Sequence, residues 1–293
     1  MRWMLRSGFL LVLTLVVLGC DSGDDGQGSG QIATAGAGAH ASSVNPVSAG
    51  AGCDGTQPGA LNPSENPPTL DKVLVFTRTL GYRHESIGAG VVALDALGAS
   101  NGFEVVQTEE PSQFTDAGLS GFDVVVFLST SADVLDDEQQ CALQRFVQAG
   151  HGWVGIHAAA DTEYDWPWYG ELLGGNAWFR SHPEGTPAAM LDVEKADHVS
   201  TAHLPARFAW TDEWYNFRAN PRSAVTVLLR VDETSYAPGP DAMGTDHPVA
   251  WYHEFDGGRA FYTALGHRVD LYTDDRFTQH LLGGIQWAAG VAP

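Results

Sequence analysis

Histidines beside carboxylates carry most of the chemistry this sequence could perform. His84 lies in "GYRHES", where Gly81 permits a tight turn and Arg83 offers a planar fork of donors beside Tyr82. His157 lies in "GIHAA", at a corner where many α/β hydrolytic enzymes present a serine or cysteine nucleophile. An imidazole there suits proton transfer or metal ligation and cannot form a thiolate acyl intermediate. Small residues on either side, Gly155 and Ala158-Ala159, are expected to leave space above the ring. Farther on come His182 in "RSHPEG", Asp212-Glu213-Trp214-Tyr215, His247 before Pro248, and Gly266-His267. A carboxylate among aromatics is a common way to hold sugars, because ring faces stack on C–H faces while acids take the hydroxyls. Glu213, Trp214 and Tyr215 fit that use, with Trp166, Trp168, Tyr169 and Trp178 as further aromatics. Against it stand plain structural roles: a loop histidine capping the next helix for His84, a satisfied core histidine for His157, and core packing for each aromatic.

No HExxH, His-x-His or CxxC spacing is present, so no short metal motif exists. A divalent ion such as zinc could still be held by His84, His157, His182 and His267 from separate loops. The loop "LGYRHESIGAG" at residues 80–90 lacks the Walker and GxGxxG phosphate-loop spacings.

The elements that must position these groups follow an alternating pattern. "KVLVFT" from Lys72 reads as a strand buried in a parallel sheet, and Ile87, Val91, Leu94 and Leu97 recur at helical spacing up to Gly102. Strands follow at Phe103 to Thr108, Val124 to Leu128 and Trp153 to His157. Asp136 with Gln139 reads as the capping box of a helix whose apolar face includes Leu135, Cys141, Ala142, Phe146 and Val147. Strand–helix alternation predicts a mostly parallel sheet covered on both faces, with ligands at the carboxyl ends of its strands. His84, Ser129-Thr130-Ser131 and His157 all fall at such ends. Beyond residue 185 the pattern turns to strands at 188–193, 224–231, 249–254 and 260–265, the last two joined by an Asp-Gly-Gly hairpin. A final helix carries Phe277, Leu281, Ile285 and Ala288 on one face.

The first 68 residues read as targeting and tether. Arg2 and Arg6 precede an apolar run from Phe9 to Leu18, the form of a secretory signal over residues 1–19 and too short to span a bilayer. "VLGC" resembles a bacterial lipobox, which would make Cys20 the lipidated first residue and anchor the protein to a membrane, facing the periplasm or the exterior. Residues 20–68, rich in Gly, Ala, Ser and Pro, read as a disordered tether, and residues 69–293 as one α/β domain. Cys53 and Cys141 could pair in an oxidising compartment, but a buried, inert Cys141 is the favoured expectation. With 15 basic against 36 acidic residues, a formal charge of −21, the chain lacks the cationic surface that nucleic acids or anionic membranes require. A neutral ligand fits better.

Residues 72–290 resemble the ThuA-like family, named for trehalose utilisation, through "GYRH" at 81–84, "GIHAA" at 155–159, "SHP" at 181–183, "DEWY" at 212–215, "HP" at 247–248 and "GRAFYTALGH" at 258–267. At Asp197-His198-Val199 the chain departs from the family's His-Pro, and no role is carried onto His198. The resemblance implies a flavodoxin-like three-layer α/β sandwich, similar to class I glutamine amidotransferases, with extra antiparallel strands in the C-terminal half. It places His157 where the amidotransferase cysteine would stand, which argues against glutamine hydrolysis. It also implies bacterial catabolism of trehalose and related disaccharides, often beside a companion sugar dehydrogenase that makes 3-keto glycosides. A 3-keto sugar has an acidified C2 proton. His157 or Glu213 could remove it while His84, Arg83, His267 or a metal polarises the ketone, and the glycosidic oxygen would then leave; hydrolysis is the related outcome. Arg83, Tyr82, His182, Trp214 and Tyr215 are the expected substrate contacts. The competing readings are a noncatalytic carbohydrate-binding or recruiting module and a structural envelope protein; the latter predicts that the histidines and Glu213 are scattered.

Overall fold

The computed structural model describes Cys53 and residues 68–292; the signal segment, Cys20 and the rest of the tether lie outside the described residues. The chain runs β1 (Lys72–Phe76), α1 (Ile87–Asn101), β2 (Glu104–Thr108), α2 (Asp116–Leu119), β3 (Val124–Leu128), α3 (Asp137–Gln148) and β4 (Gly152–Ile156). It continues through α4 (Pro167–Gly174), β5 (Phe179–Ser181), β6 (Ala188–Val193), β7 (Arg207–Thr211), β8 (Asn216–Phe217), β9 (Thr226–Asp232), β10 (Pro248–Phe255), β11 (Gly258–Thr263) and α5 (Asp275–Ala288). Among the described residues, nine strands form one sheet in the order β2-β1-β3-β4-β11-β10-β9-β6-β7, and β5 pairs with β8 apart from it.

From β2 to β11 every pairing is parallel, and from β11 to β7 every pairing is antiparallel. β11 is thus the joint between two kinds of sheet, which the sequence pattern had shown only as a hairpin strand. β3 and β4 are buried along their whole length, as expected of strands covered on both faces. The chain passes from β1 outward to β2 and then back to β3, so right-handed crossovers put α1 on one face and α2 and α3 on the other. α5 packs beside α1, which completes the three layers. The loops after β1 and β3 therefore part company at a switch point, the expected place for a ligand.

Local signals explain the element ends. The Asp136 side chain accepts from the Gln139 N–H while the Asp136 N–H donates to Gln139 Oε1, the predicted capping box. The β10–β11 turn at Asp256-Gly257 has positive φ at both residues, as a two-residue hairpin requires. α1 departs from its apparent apolar stripe: Ile87 and Leu94 are buried but Val91 and Leu97 only half so. Gly90 brings that helix close, since a Cβ there would lie 2.9 Å from Leu128 and Tyr272. α2, α4, β5, β7 and β8 have no counterpart among the elements the sequence pattern predicts. β7 does alternate, with Phe208 and Trp210 buried between exposed Arg207 and Ala209.

One expectation is reversed. Cys53 and Cys141 form a disulfide, with Cα atoms 5.1 Å apart. Ala142, Leu143, Phe146 and Val147 occupy the buried face of α3, which leaves Cys141 half-exposed at its edge and open to a partner. No described helix is long and apolar enough to cross a membrane.

Candidate active site

The site is built where four separate segments end. His84 comes from the loop after β1, His157 from the first position after β4, Glu213 from the segment after β7, and His267 from the segment after β11. Each offers one ligand atom, and these atoms all lie within 4.8 Å of one another. His157 Nε2 is 3.1 Å from His84 Nε2, 3.3 Å from His267 Nδ1 and 3.4 Å from Glu213 Oε2. Glu213 Oε2 is also 3.1 Å from His267 Nδ1. Dispersal, which a purely structural role predicts, is not what the fold produces.

His157 stands on a turn with φ 52°, a left-handed conformation that β4 and its neighbours impose on a non-glycine residue. Its carbonyl accepts from the Tyr262 hydroxyl at 2.8 Å, and its Nδ1 lies 2.8 Å from the Ala264 carbonyl. A carbonyl accepts only from a protonated nitrogen, so Nδ1 carries a hydrogen and Nε2 is turned into the cluster. Fixing a histidine tautomer through a backbone carbonyl is the usual way a metal-binding imidazole is held. The Tyr215 ring backs His157 at 4.3 Å. Gly155 does not open space above the histidine as expected: a Cβ there would lie 2.4 Å from Trp153 and 2.9 Å from Tyr262, so the glycine accommodates core aromatics. Ala158 and Ala159 are likewise fully buried.

The loop carrying His84 is clamped to the end of β3. The Leu80 N–H donates to the Ser131 carbonyl at 2.9 Å, the Gly81 N–H to Ser131 Oγ at 3.2 Å, and Ser131 Oγ to the Tyr82 carbonyl at 2.9 Å. The serine cluster after β3, noted in the sequence, thus acts through Ser131 as a brace for this loop. Asp212 does similar work for Glu213 and His267. Its Oδ1 accepts from the Glu213 N–H at 3.0 Å and its Oδ2 from the Gly266 N–H at 2.8 Å, tying the residue before His267 to the residue before Glu213. Ser86 Oγ and the Tyr272 hydroxyl both donate to the Gly266 carbonyl. Gly266 has φ 117° and leaves no room for a Cβ, which would lie 2.8 Å from the Tyr272 oxygen.

Electrostatics follow from burial and convergence. Burial, with the neighbouring His157 and His267, lowers the His84 imidazole to about 3. Burial opposes ionisation of Glu213, but hydrogen bonds from His157 and His267 outweigh it and hold the carboxyl well below its usual range. Hydrogen bonding to Glu213 raises His267 against the opposing effect of burial. Burial pushes the fully enclosed Asp212 up to about 6, and the charge of His157 opposes it. Three imidazoles and a carboxylate facing one another cannot all be satisfied by sharing protons among themselves. Ligand bonds of about 2.0–2.1 Å at tetrahedral angles set donor atoms roughly 3.3 Å apart, close to the four separations above. The buried His84, His157, Glu213 and His267 group could hold a metal ion.

Other expected residues fall differently. His182 lies at the rim with Nδ1 3.3 Å from Glu213 Oε1, outside the group of four. Tyr82 stands edge-on to His84, ring centroids 4.8 Å apart. Arg83 is committed elsewhere, with Nη2 2.6 Å from Glu109 Oε1 and Nη1 on the Thr77 carbonyl. Trp214 is fully buried with its indole N–H on the Pro187 carbonyl, so it has no face to offer a ligand, contrary to expectation. Tyr215 is buried too and reaches the site only through the ring of His157. Trp166, Tyr169 and Trp178 are core. His247 bridges Glu233 and the Tyr215 carbonyl, away from the cluster.

A doubly covered sheet with polar ligands gathered at its carboxyl edge defines an α/β protein with a histidine–carboxylate centre. A model of the ThuA family, described as trehalose utilisation, matches residues 72–288, and the chain belongs to that family. No curated protein matches the sequence. Among solved structures, a ThuA-like protein from Bacteroides uniformis ATCC 8492 is 24% identical with a TM-score of 0.64, over 78% of this chain and 94% of that one. A ThuA-like protein from Parabacteroides merdae ATCC 43184 is 20% identical with a TM-score of 0.62, over 76% and 91%. A β-galactosidase from Bacillus circulans sp. alkalophilus is 17% identical with a TM-score of 0.50, over 77% of this chain and 32% of that one. These likenesses are of fold.

Proposed function

We propose that the chain is a carbohydrate-processing enzyme of the cell envelope that acts on trehalose-like or 3-keto disaccharides by acid/base elimination or hydrolysis. The family's description supports the carbohydrate class. The observation that carries the reading is the convergence of His84, His157, Glu213 and His267. In this proposal those four residues hold a divalent cation such as zinc, which supplies Lewis acidity toward a ketone or hydroxyl oxygen. Of the two candidate bases, geometry favours Glu213, because His157 has one nitrogen on Ala264 and the other turned into the cluster. Glu213 keeps Oε1 toward the rim and His182. For a 3-keto substrate, the base takes the C2 proton and the C–H electrons form an enolate. The enolate re-forms the ketone, the C1–C2 double bond closes, and the C1–O bond breaks with its electrons on the leaving oxygen, which is then protonated.

A signal segment at residues 1–19, lipidation at Cys20 and an extracytoplasmic location belong to the same proposal. The Cys53–Cys141 disulfide supports that location, since such bonds persist outside reducing compartments. A companion sugar dehydrogenase would supply the 3-keto substrate.

The test combines metal analysis with turnover. Purified protein should carry or take up about one divalent ion per chain and cleave 3-ketotrehalose, and His157→Ala should lose both properties. Protein that binds trehalose but turns over neither native nor oxidised disaccharide, with or without added metal, would be a binding module instead.

A further inference from the structure

The rim of the site has a chemistry of its own. Five large hydrophobic side chains are exposed among the described residues: Leu80, Tyr82, Val92, Val269 and Val291. Three of them lie on the two loops that deliver His84 and His267, whose rings are 5.2 Å apart. Leu80 is 59% exposed, Tyr82 63% and Val269 48%. A single exposed leucine needs no explanation, but exposed apolar side chains on both loops that deliver a polar centre are the makings of a ligand site.

These side chains are not displayed on a slack loop. The Ser131 bonds hold residues 80–82 to the end of β3, and the Tyr82 ring rests against His84 while most of its surface faces solvent. The cations beside them are already committed. Arg83 is paired with Glu109 at 2.6 Å, and Arg268 with Asp270 at 2.8 Å. A second hydroxylated ring bound here would find apolar surface and engaged cations, whereas an aryl or alkyl group would lose nothing on leaving water.

We infer that Leu80, Tyr82 and Val269 form a subsite for an apolar aglycone, so that this chain favours glycosides carrying an aryl or alkyl leaving group over disaccharides. The inference rests on the carbohydrate reading above and narrows its substrate class. The sugar sits toward the cluster, and the aglycone lies against the rim. The net charge of −21 suits a neutral ligand of this kind.

Titration calorimetry of the full chain with phenyl α-glucoside, methyl α-glucoside and trehalose tests it. Phenyl α-glucoside should bind roughly tenfold or more tighter than methyl α-glucoside, in line with burial of one aromatic group. In Leu80→Ser/Val269→Ser that advantage should shrink to about threefold or less while methyl α-glucoside affinity holds. Trehalose binding with no phenyl preference, or a preference that survives the double substitution, overturns the subsite and leaves the carbohydrate reading standing. No binding of any glycoside removes both. Sedimentation of the same proteins adds an independent check: a dimer that dissociates in the double variant would show that the rim covers a second copy, and the subsite would fall.

Discussion

Asp212→Asn is the change that best separates placement of the ligands from their chemistry. Asp212 is fully buried and touches no solvent-facing group of the cluster, yet its two oxygens accept from the Glu213 and Gly266 N–H groups at 3.0 and 2.8 Å. Asparagine has the same shape but only one acceptor oxygen. Whichever way the amide turns, an NH₂ group faces a backbone N–H, and one buried donor is left without a partner. That loss costs about 1–3 kcal/mol. At roughly 2–4 °C per kcal/mol for a domain of this size, the melting temperature should fall by roughly 2–12 °C. Because Gly266 adjoins His267 and Glu213 is itself one of the four proposed ligands, zinc affinity should also weaken, by about 10–100-fold as for other residues that orient metal ligands. Differential scanning calorimetry of the metal-free protein gives the first quantity, and competition with a chromogenic chelator gives the second. A variant that melts within about 1 °C of the parent and binds zinc equally well would refute the idea that Asp212 sets the geometry.

Two further outcomes concern stability. His280 is buried between Phe261 and Phe277, and burial lowers its imidazole to about 4 from 6.5. The unfolded chain therefore binds the extra proton first, so this contribution is fully present above pH 6.5 and is lost as pH falls toward 4, by about 3 kcal/mol in all. Thermal melts across that range should steepen in the parent and flatten in His280→Leu; equal slopes would show that the folded protein protonates His280 readily. Cys53 and Cys141 are 88 residues apart, so Cys141→Ser should lower stability by about 4.6 kcal/mol on the chain-entropy account. Thiols that react with an alkylating reagent before any reductant is added would show the bond is not formed.

Much of the parallel half was legible because its signals are local. "KVLVF", "VVVFL" and the run ending at Ile156 are continuous apolar strands, and the Asp136–Gln139 pair states where α3 begins. β7 carries a visible alternation, while β5 and β8, of three and two residues, carry too little pattern to read. His84, His157, Glu213 and His267 could be nominated singly from their neighbours. The roles of Ser131 and Asp212 could not, because each acts through a bond to backbone 49 or more residues away in the chain.

The sequence by itself determined the residue types at the strand ends, the helix caps, the absence of a cysteine nucleophile at position 157 and the acidic balance. Each is a property of composition or of neighbours within one turn or strand. The tertiary structure decided which candidates meet. Parallel pairing of β11 with β4 brings His267 to His157, and the Asp212 clamp returns Glu213 from a strand at the far edge of the sheet. It also decided which candidates cannot meet a ligand: Trp214 is buried, Arg83 is taken by Glu109, and Cys141 lies open to Cys53. Burial and partnership depend on what another segment places alongside, and no local pattern carries that information.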